Sequence, residues 1–465
     1  MSLSGKTAGF YRSSDTITAI ATASGPSGIS VIRISGPAAK NIADKIFKGK
    51  IKPSKAKSQT IHFGKIINPV TNELIDEVLL SVFTQPNSYT GEHMIEISCH
   101  GGDYIASVIL NLVIKLGARL AEPGEFTKRR VLANKMDITQ AEAIKDLVSV
   151  KNDSAYRSAI GQLQGRLSGY ISELSGEIKS LTAQLENIIE FEQDQKHIQV
   201  QLKKLTRQIQ KIRADLEATI KKNEEMKFLR SGVYCVIIGR PNVGKSSLFN
   251  RLSEIEKAIV TEIAGTTRDS LEHTTIINGI VFHLIDTAGL KVIHAPKGLD
   301  KIEAMGIERS KDWLKSADFV LAVFDNSKPM NQQDQLVYDS VKNKPHLSVL
   351  NKIDLPAKFD RKIFKNEVVY PISAKYNKGI KQMKNAITGL YQKQFSADNH
   401  LYLNSRHIAA LKDVIRLLKE TESEKHCDIM TMNLRDALDR LGTVTNVTTN
   451  EQILDTIFSE FCIGK

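Results

Sequence analysis

Five short segments, in order along the chain, carry residue types suited to a nucleoside triphosphate. The first is Gly239-Arg240-Pro241-Asn242-Val243-Gly244-Lys245-Ser246, with Ser247 after it, a G-x-x-x-x-G-K-[ST] phosphate loop between an apolar run and a helical one. Its glycines let backbone N–H groups turn inward around phosphate. Lys245 reaches the β and γ oxygens, and the Ser246 hydroxyl can ligate Mg²⁺. The second is Thr261-Glu262-Ile263-Ala264-Gly265-Thr266-Thr267-Arg268-Asp269, a polar loop whose Thr267 is the candidate second Mg²⁺ hydroxyl. In the third, Asp286-Thr287-Ala288-Gly289, Asp286 can hold the metal through water and the Gly289 N–H can meet a γ-phosphate. The fourth is Asn351-Lys352-Ile353-Asp354. The Asp354 carboxylate is an acceptor pair for the N1–H and N2–H₂ donors of guanine, which adenine lacks. The fifth, Ser373-Ala374-Lys375, can touch guanine O6 through its backbone. Together the five predict a GTP site.

Hydrolysis needs a group that orients water and positive charge on the transferring phosphate. The position after the third segment, where many GTPases have glutamine, is Leu290, which cannot bond water. Arg268 is the only arginine of the second segment. The Asn242 side-chain carbonyl could ligate a monovalent cation, with backbone carbonyls of the second segment completing the site. K⁺ there would sit where an arginine finger would. The water-orienting group must come from elsewhere, and the polar stretch Lys291–Glu308 is the place to look.

The elements that must position these residues read as follows. Residues 1–120 are mixed α/β, with strands expected at Ile17–Ala23, Ile29–Ile34, Leu79–Phe83 and Met94–Ser98, and a helix from Pro37 to Phe47. Lys45, Lys48, Lys50, Lys52, Lys55 and Lys57 read as a solvated loop, with contact to nucleic-acid phosphate as the alternative. Residues 121–227 turn helical. Ile171, Leu174, Ile178, Leu181, Leu185 and Ile188 form one apolar stripe, and Ile198, Leu202, Leu205, Ile209, Ile212 and Leu216 another, with a corner at Glu190–His197. Residues 228–392 alternate helical runs with strands at Tyr234–Ile238, Val281–Ile285, Phe319–Phe324, His346–Leu350 and Val368–Ile372, the pattern of a parallel sheet with covering helices. Residues 393–465 are helical again, through Ile408, Leu411, Val414, Ile415 and Leu418, then Leu434, Leu438 and Leu441, then Ile453–Phe461. This predicts a multidomain α/β plus α chain whose P-loop domain interrupts a helical one.

Composition agrees with that size. A chain of 465 residues favours about three domains. Its hydrophobic fraction of 41% is enough for real cores. Cys99, Cys235, Cys427 and Cys462 are widely spaced, with no C-x-x-C or zinc spacing. No run of 18 apolar residues exists, and Met1–Asp15 lacks the order of a signal peptide, so a cytoplasmic protein is expected. The net charge of +12 points weakly to a polyanionic partner.

The phosphate-loop and Asp-Thr-Ala-Gly-Leu segments, the second segment and the C-terminal Phe461-Cys462-Ile463-Gly464-Lys465 resemble the tRNA uridine-modifying GTPase family MnmE (TrmE). The N-terminal half agrees, at Asp15-Thr16-Ile17, Ile32-Arg33-Ile34-Ser35-Gly36, Tyr89-Thr90-Gly91-Glu92, His100-Gly101-Gly102, Pro123-Gly124-Glu125-Phe126 and Gln140-Ala141-Glu142-Ala143-Ile144. The resemblance implies an N-terminal α+β domain that binds a 5-formyl- or methylene-tetrahydrofolate and dimerises, a helical domain, and a Ras-like G domain. It implies a cytoplasmic homodimer that joins an FAD-dependent MnmG-type partner in a heterotetramer. The pair adds a carboxymethylaminomethyl group to C5 of the wobble uridine, position 34, of certain tRNAs. GTP hydrolysis would be K⁺-stimulated, with K⁺ on the Asn242 side chain and the main chain of Thr261, Ile263 and Thr266, and Mg²⁺ on Ser246 and Thr267. Glu303, just before the Gly306–Arg309 segment, would orient water. Folate contacts would fall on Arg33, Glu96, Lys135 and Lys465, and Cys462 would take part in the modification chemistry. The alternative is a ribosome-assembly or RNA-binding switch GTPase without modification activity.

Overall fold

A computed structural model describes residues 15–150, 152–191, 194–225, 232–253, 272–286, 313–314, 316–364, 367–392, 401–445 and 451–465. Their contacts form two compact units. One comprises described residues of Met1–Val148, Ala159–Glu217 and Leu403–Lys465, and the other those of Ser149–Ser158 and Ala218–Tyr402.

The first unit opens with β1 (Ile17–Ile20), β2 (Ile29–Ser35), α1 (Ala39–Ile46), β3 (Phe47–Gly49), β4 (Thr60–Ile67), β5 (Leu74–Phe83), β6 (Met94–His100), α2 (Asp103–Lys115) and β7 (Arg119–Leu120). The strands form one sheet in the order β3-β4-β5-β6-β2-β1-β7. All neighbours are antiparallel except β1 and β7. Alternation decides its faces. Ile32, Ile34, Val78, Leu80, Val82, Ile95 and Ile97 point to one side and bury against Ile42 and Ile46 of α1 and Ile109 and Val113 of α2.

Two sequence expectations change here. The lysine-rich stretch is not simply a loop, because Phe47–Gly49 pairs with β4 and Pro53–Lys55 makes a 3-10 turn. The sequence pattern also missed β4. Its outer face carries Ile61 and Phe63, both exposed, so no polar–apolar alternation marks it as a half-buried strand.

Helices follow: α3 (Glu125–Leu132), α4 (Ile138–Ser149), α5 (Asp153–Leu163), α6 (Arg166–Phe191) and α7 (Gln195–Glu225). The corner falls between α6 and α7. Every member of the first predicted stripe, Ile171 through Ile188, is buried. Periodicity predicts helices on both sides of the nucleotide segments but not their contact. In the second unit lie β8 (Val233–Ile238), α8 (Lys245–Ser253), β9 (Glu272–Ile277), β10 (Ile280–Asp286), β11 (Phe319–Asp325), α9 (Gln332–Val341), β12 (His346–Asn351), β13 (Val369–Pro371) and α10 (Ile380–Gln392). The chain then returns to the first unit with α11 (Ser405–Ser423), α12 (Cys427–Thr445) and α13 (Glu451–Ser459). There α12 packs on both α6 and α11. Arg213 of α7 donates to Glu422 of α11 at 2.6 Å, and Arg435 of α12 to Glu186 of α6 at 2.6 Å.

The second unit's sheet runs β13-β12-β11-β8-β10-β9, parallel apart from the β9–β10 hairpin. Both faces are covered. Cys235 and Ile237 of β8, with Phe319, Leu321 and Val323 of β11, enter one core. Val236, Ile238, Val320, Ala322 and Phe324 enter the other. Continuous apolar runs in the central strands follow from that two-sided burial.

Candidate functional site: a phosphate loop and a cationic cavity

The phosphate loop leaves β8 at its C-terminal end and runs into α8. Ligands of open parallel sheets bind outside these strand ends. Gly244 has φ +97°, and a Cβ there would lie 2.3 Å from Asn351 Nδ2, so only glycine fits. Asn351 stands at the end of β12. Its amide donates to the Val243 carbonyl at 2.9 Å, and its Oδ1 accepts from the Ala374 N–H at 3.0 Å. One buried side chain thus joins the phosphate loop, the fourth segment and the fifth. The Lys352 ammonium donates to the Asn242 carbonyl at 2.7 Å and to Asp325 Oδ2 at 2.7 Å. Asn242 and Lys352 both adopt left-handed backbone, φ 65° and 67°. The Lys245 ammonium donates to the Gly239 and Arg240 carbonyls at 2.8 and 2.9 Å, so it lies along the loop that would hold phosphate.

Charge is arranged to suit this. Asp354 is exposed, and its carboxyl is held below the usual range by the Ser373 hydroxyl, with Lys375 and Lys378 adding to the effect. It is therefore ionised, as an acceptor for a guanine edge must be. Burial would raise Asp325, but hydrogen bonds from Lys352 and Ser327 keep it low. Arg240 Nε lies 3.1 Å from Asp334 Oδ1, and both side chains are nearly buried. Asp334 also closes the capping box of α9, accepting from the Asn331 N–H at 3.1 Å. Ser246 and Ser247 are exposed at the start of α8. Among the described residues no group of three or more His, Cys, Asp or Glu side chains could hold a metal.

A second site lies in the first unit. Arg33 on β2 donates through Nε to Glu96 Oε1 on β6, at 2.8 Å, and through Nη1 to the Gly464 carbonyl, at 3.2 Å. Its guanidinium lies over the rings of Tyr89 and Phe126, 5.4 Å from each centroid. A cavity of about 410 Å³ opens beside it, lined among others by Tyr89, Arg130, Met136, Ile144, Gly464 and Lys465. Its volume suits a small organic ligand, and its basic residues suit an anionic one. The C-terminal tail forms part of the wall. Gly464 has φ +93°, and a Cβ there would lie 2.3 Å from the Ile20 carbonyl of β1. The Cys462 carbonyl accepts from the Gly124 and Lys465 N–H groups. Phe458 and Phe461 bury beside Met136 and Ile138.

In the same unit, Arg129 is buried and serves three carboxylates. It reaches Asp15 Oδ1 at 2.8 Å, Glu125 Oε1 at 2.9 Å and Glu92 Oε1 at 3.1 Å. Arg119 binds Glu125 and Asp15 as well. Burial pushes the Glu125 carboxyl up, but the Arg119 and Arg129 hydrogen bonds outweigh it and hold it low.

Comparison with known proteins matches both units. A model described as GTP-binding protein TrmE N-terminus covers residues 16–135, and one described as MnmE helical domain covers residues 138–462. The chain is 39% identical to the tRNA modification GTPase MnmE of Thermoanaerobacter sp. (strain X514), over 97% of this chain and 99% of that one. The chain belongs to the MnmE family of tRNA modification GTPases. It is 38% identical to the MnmE of Bacillus licheniformis, over 97% of this chain and 100% of that one. Among solved structures, the FeoB G-domain from Methanococcus jannaschii is 26% identical, covers 34% of this chain and 98% of that one, and has a TM-score of 0.25.

The expected residues of this MnmE-family chain fall into three groups. Asn242 to Ser247, Asn351, Lys352, Asp354, Ser373, Ala374 and Lys375 share the strand-end loops of the second unit. Arg33 and Lys465 line the cavity and Glu96 reaches it only through its pair with Arg33, whereas neither Glu96 nor exposed Lys135 is among its lining residues. Cys462 is exposed, two residues before the Gly464 carbonyl that Arg33 holds, while Cys99 and Cys235 are buried. Thr261, Glu262, Ile263, Ala264, Gly265, Thr266, Thr267, Thr287, Ala288, Gly289 and Glu303 lie outside the described residues, as does the Asp286 side chain. Asp325, Asp334, Tyr89 and Arg130 were missed. Only their tertiary partners distinguish them from ordinary strand, helix or loop residues.

Proposed function

We propose that this GTPase of tRNA modification hydrolyses GTP with K⁺ stimulation and, with an FAD-dependent MnmG-type partner, adds a carboxymethylaminomethyl group to C5 of the wobble uridine of certain tRNAs. The observation that carries this reading is family membership over nearly the whole chain. A GTPase module alone would not need the cationic cavity or the tail beside it. The cavity is the proposed site of a 5-formyl- or methylene-tetrahydrofolate, with Arg33 and Lys465 toward its anionic groups and Tyr89 along a flat ring. A bound folate would supply the one-carbon unit. Cys462, exposed on the same tail, is the proposed reactive thiol.

In the second unit, Asp354 selects guanine and Lys245 turns from its loop carbonyls to phosphate when GTP enters. Ser246 and Thr267 are the proposed Mg²⁺ ligands. The Asn242 side chain with the Thr261, Ile263 and Thr266 main chain would take K⁺, which supplies positive charge near the transferring phosphate. Glu303 is the proposed water-orienting residue. The proposed domains are a folate-binding and dimerising head at 1–120, a helical domain at 121–227 and 393–465, and the G domain at 228–392. The assembly is a homodimer in the cytoplasm that joins its partner as a heterotetramer.

Turnover of GTP in matched KCl and NaCl buffers tests the cation. Faster hydrolysis in KCl is expected, and equal rates would refute it. Glu303→Ala should abolish turnover while GTP binding persists.

A further inference from the structure

We propose that the lysine-rich edge of the seven-stranded sheet is a docking surface for an RNA phosphate backbone, which under the function proposed above is that of tRNA. Residues 45–57 contain six lysines and no acid, and so carry half of the +12 formal charge of the whole chain. All six, Lys45, Lys48, Lys50, Lys52, Lys55 and Lys57, are exposed. None of them makes an ion pair with a described residue. An ordinary solvated surface intersperses both signs, whereas a single-sign patch builds a field that attracts polyanions.

The patch is held on a rigid frame. Ile46, Phe47, Pro53 and Ala56 are buried and anchor the segment from beneath. The turn is closed by the Ala56 N–H on the Lys52 carbonyl at 3.1 Å. Asp44, the adjacent acid, accepts from the Ser54 N–H at 2.9 Å. The ammonium groups are thus displayed by ordered backbone, which lowers the entropy lost on binding.

One juxtaposition runs against stability. In the β3–β4 ladder Lys48 stands opposite Lys65. Like charges facing across an antiparallel pair are destabilising. Lys65 has a carboxylate, Glu77, at 3.4 Å on the next strand, and Lys48 has none. Guarding a sheet edge against unwanted pairing needs a lysine or two on a short strand. That does not account for four more in the following turn. Phosphates spaced along a nucleic-acid strand supply what the patch lacks, with no base-specific contact.

The test uses the full chain with Lys48, Lys50, Lys52 and Lys55 changed together to Gln, and in a second variant to Arg. Deacylated bulk tRNA is titrated over a range of KCl, with GTP turnover and melting temperature measured alongside. The Gln variant should bind about tenfold or more weakly near 100 mM salt, and its slope of log K against log salt should fall by about 2–3. The Arg variant should keep both, neither variant should change basal GTP turnover, and neither should melt below the unaltered protein. Unchanged affinity and slope in the Gln variant overturns the proposal, as does undetectable tRNA binding by the unaltered protein. Loss of binding to phosphatidylserine vesicles with tRNA binding intact would also overturn it, in favour of a membrane surface. Uridine modification is read separately in tRNA from a deletion strain. A failure there with a patch-dependent salt slope would sink the modification reading and leave the surface standing.

Discussion

The side-chain amide of Asn351 donates to the Val243 carbonyl across 2.9 Å, and its oxygen accepts from the Ala374 N–H, so one buried residue locks phosphate, base and O6 loops together. Asn351→Ala leaves a carbonyl and an N–H without partners. Each such loss is worth about 1–3 kcal/mol. Both GTP affinity and thermal stability should fall, by calorimetric titration and melting. A variant that melts lower yet binds GTP normally would show that the loops keep their geometry unaided.

Asp354→Asn changes the hydrogen-bond code at the base. The amide offers one donor and one acceptor, which suits a base with N1–H beside a C2 carbonyl, as in xanthine. GTP binding should weaken by about 1–3 kcal/mol, roughly a fivefold to 150-fold effect, and xanthosine triphosphate binding should strengthen. Competition between the two nucleotides reads this directly.

Arg240→Met should strand Asp334, whose carboxylate is nearly buried at the head of α9. Breaking such a pair costs about 3–5 kcal/mol, while replacing both partners by apolar residues costs less. Chemical denaturation of Arg240→Met, and of the double variant with Asp334→Leu, measures the difference. The double variant should be the more stable of the two.

Glu142 on α4 contacts buried His407 at 2.8 Å and accepts from Arg406 of α11 at 3.0 Å. Burial alone would raise its carboxyl, but the hydrogen bonds and charges of His407 and Arg406 hold it at about 2, against an ordinary value of 4.5. A depressed carboxylate stabilises the fold above its unfolded value and loses that contribution as pH falls through its folded one. Stability should therefore drop between pH 4.5 and about 2, and Glu142→Gln should lose this part of the pH dependence. Urea midpoints over that range decide it.

What could be read from the sequence was what is local. The phosphate loop is legible because its glycines, lysine and serine do their work within one turn of chain. The stripe Ile171–Ile188 is legible because a helix repeats every few residues. The Arg33–Gly464 contact spans 431 positions, and no spacing expresses it; only the family resemblance brings Arg33 and Lys465 to one site. The same holds for Arg129, whose partners come from three separate segments. The motif residues Asp15, Glu92 and Glu125 converge on that one guanidinium, a relation spacing cannot express. Strand β4 escaped because exposed Ile61 and Phe63 obscure its period, and β3 because Phe47-Lys48-Gly49 is too short to show one.

The most direct measurement is nucleoside analysis of bulk tRNA from cells lacking this chain. Loss of the C5-carboxymethylaminomethyl or related aminomethyl uridine from wobble position 34, restored by the intact gene but not by Asp354→Asn, is the predicted result. Full retention of that uridine in the deletion strain would contradict the account.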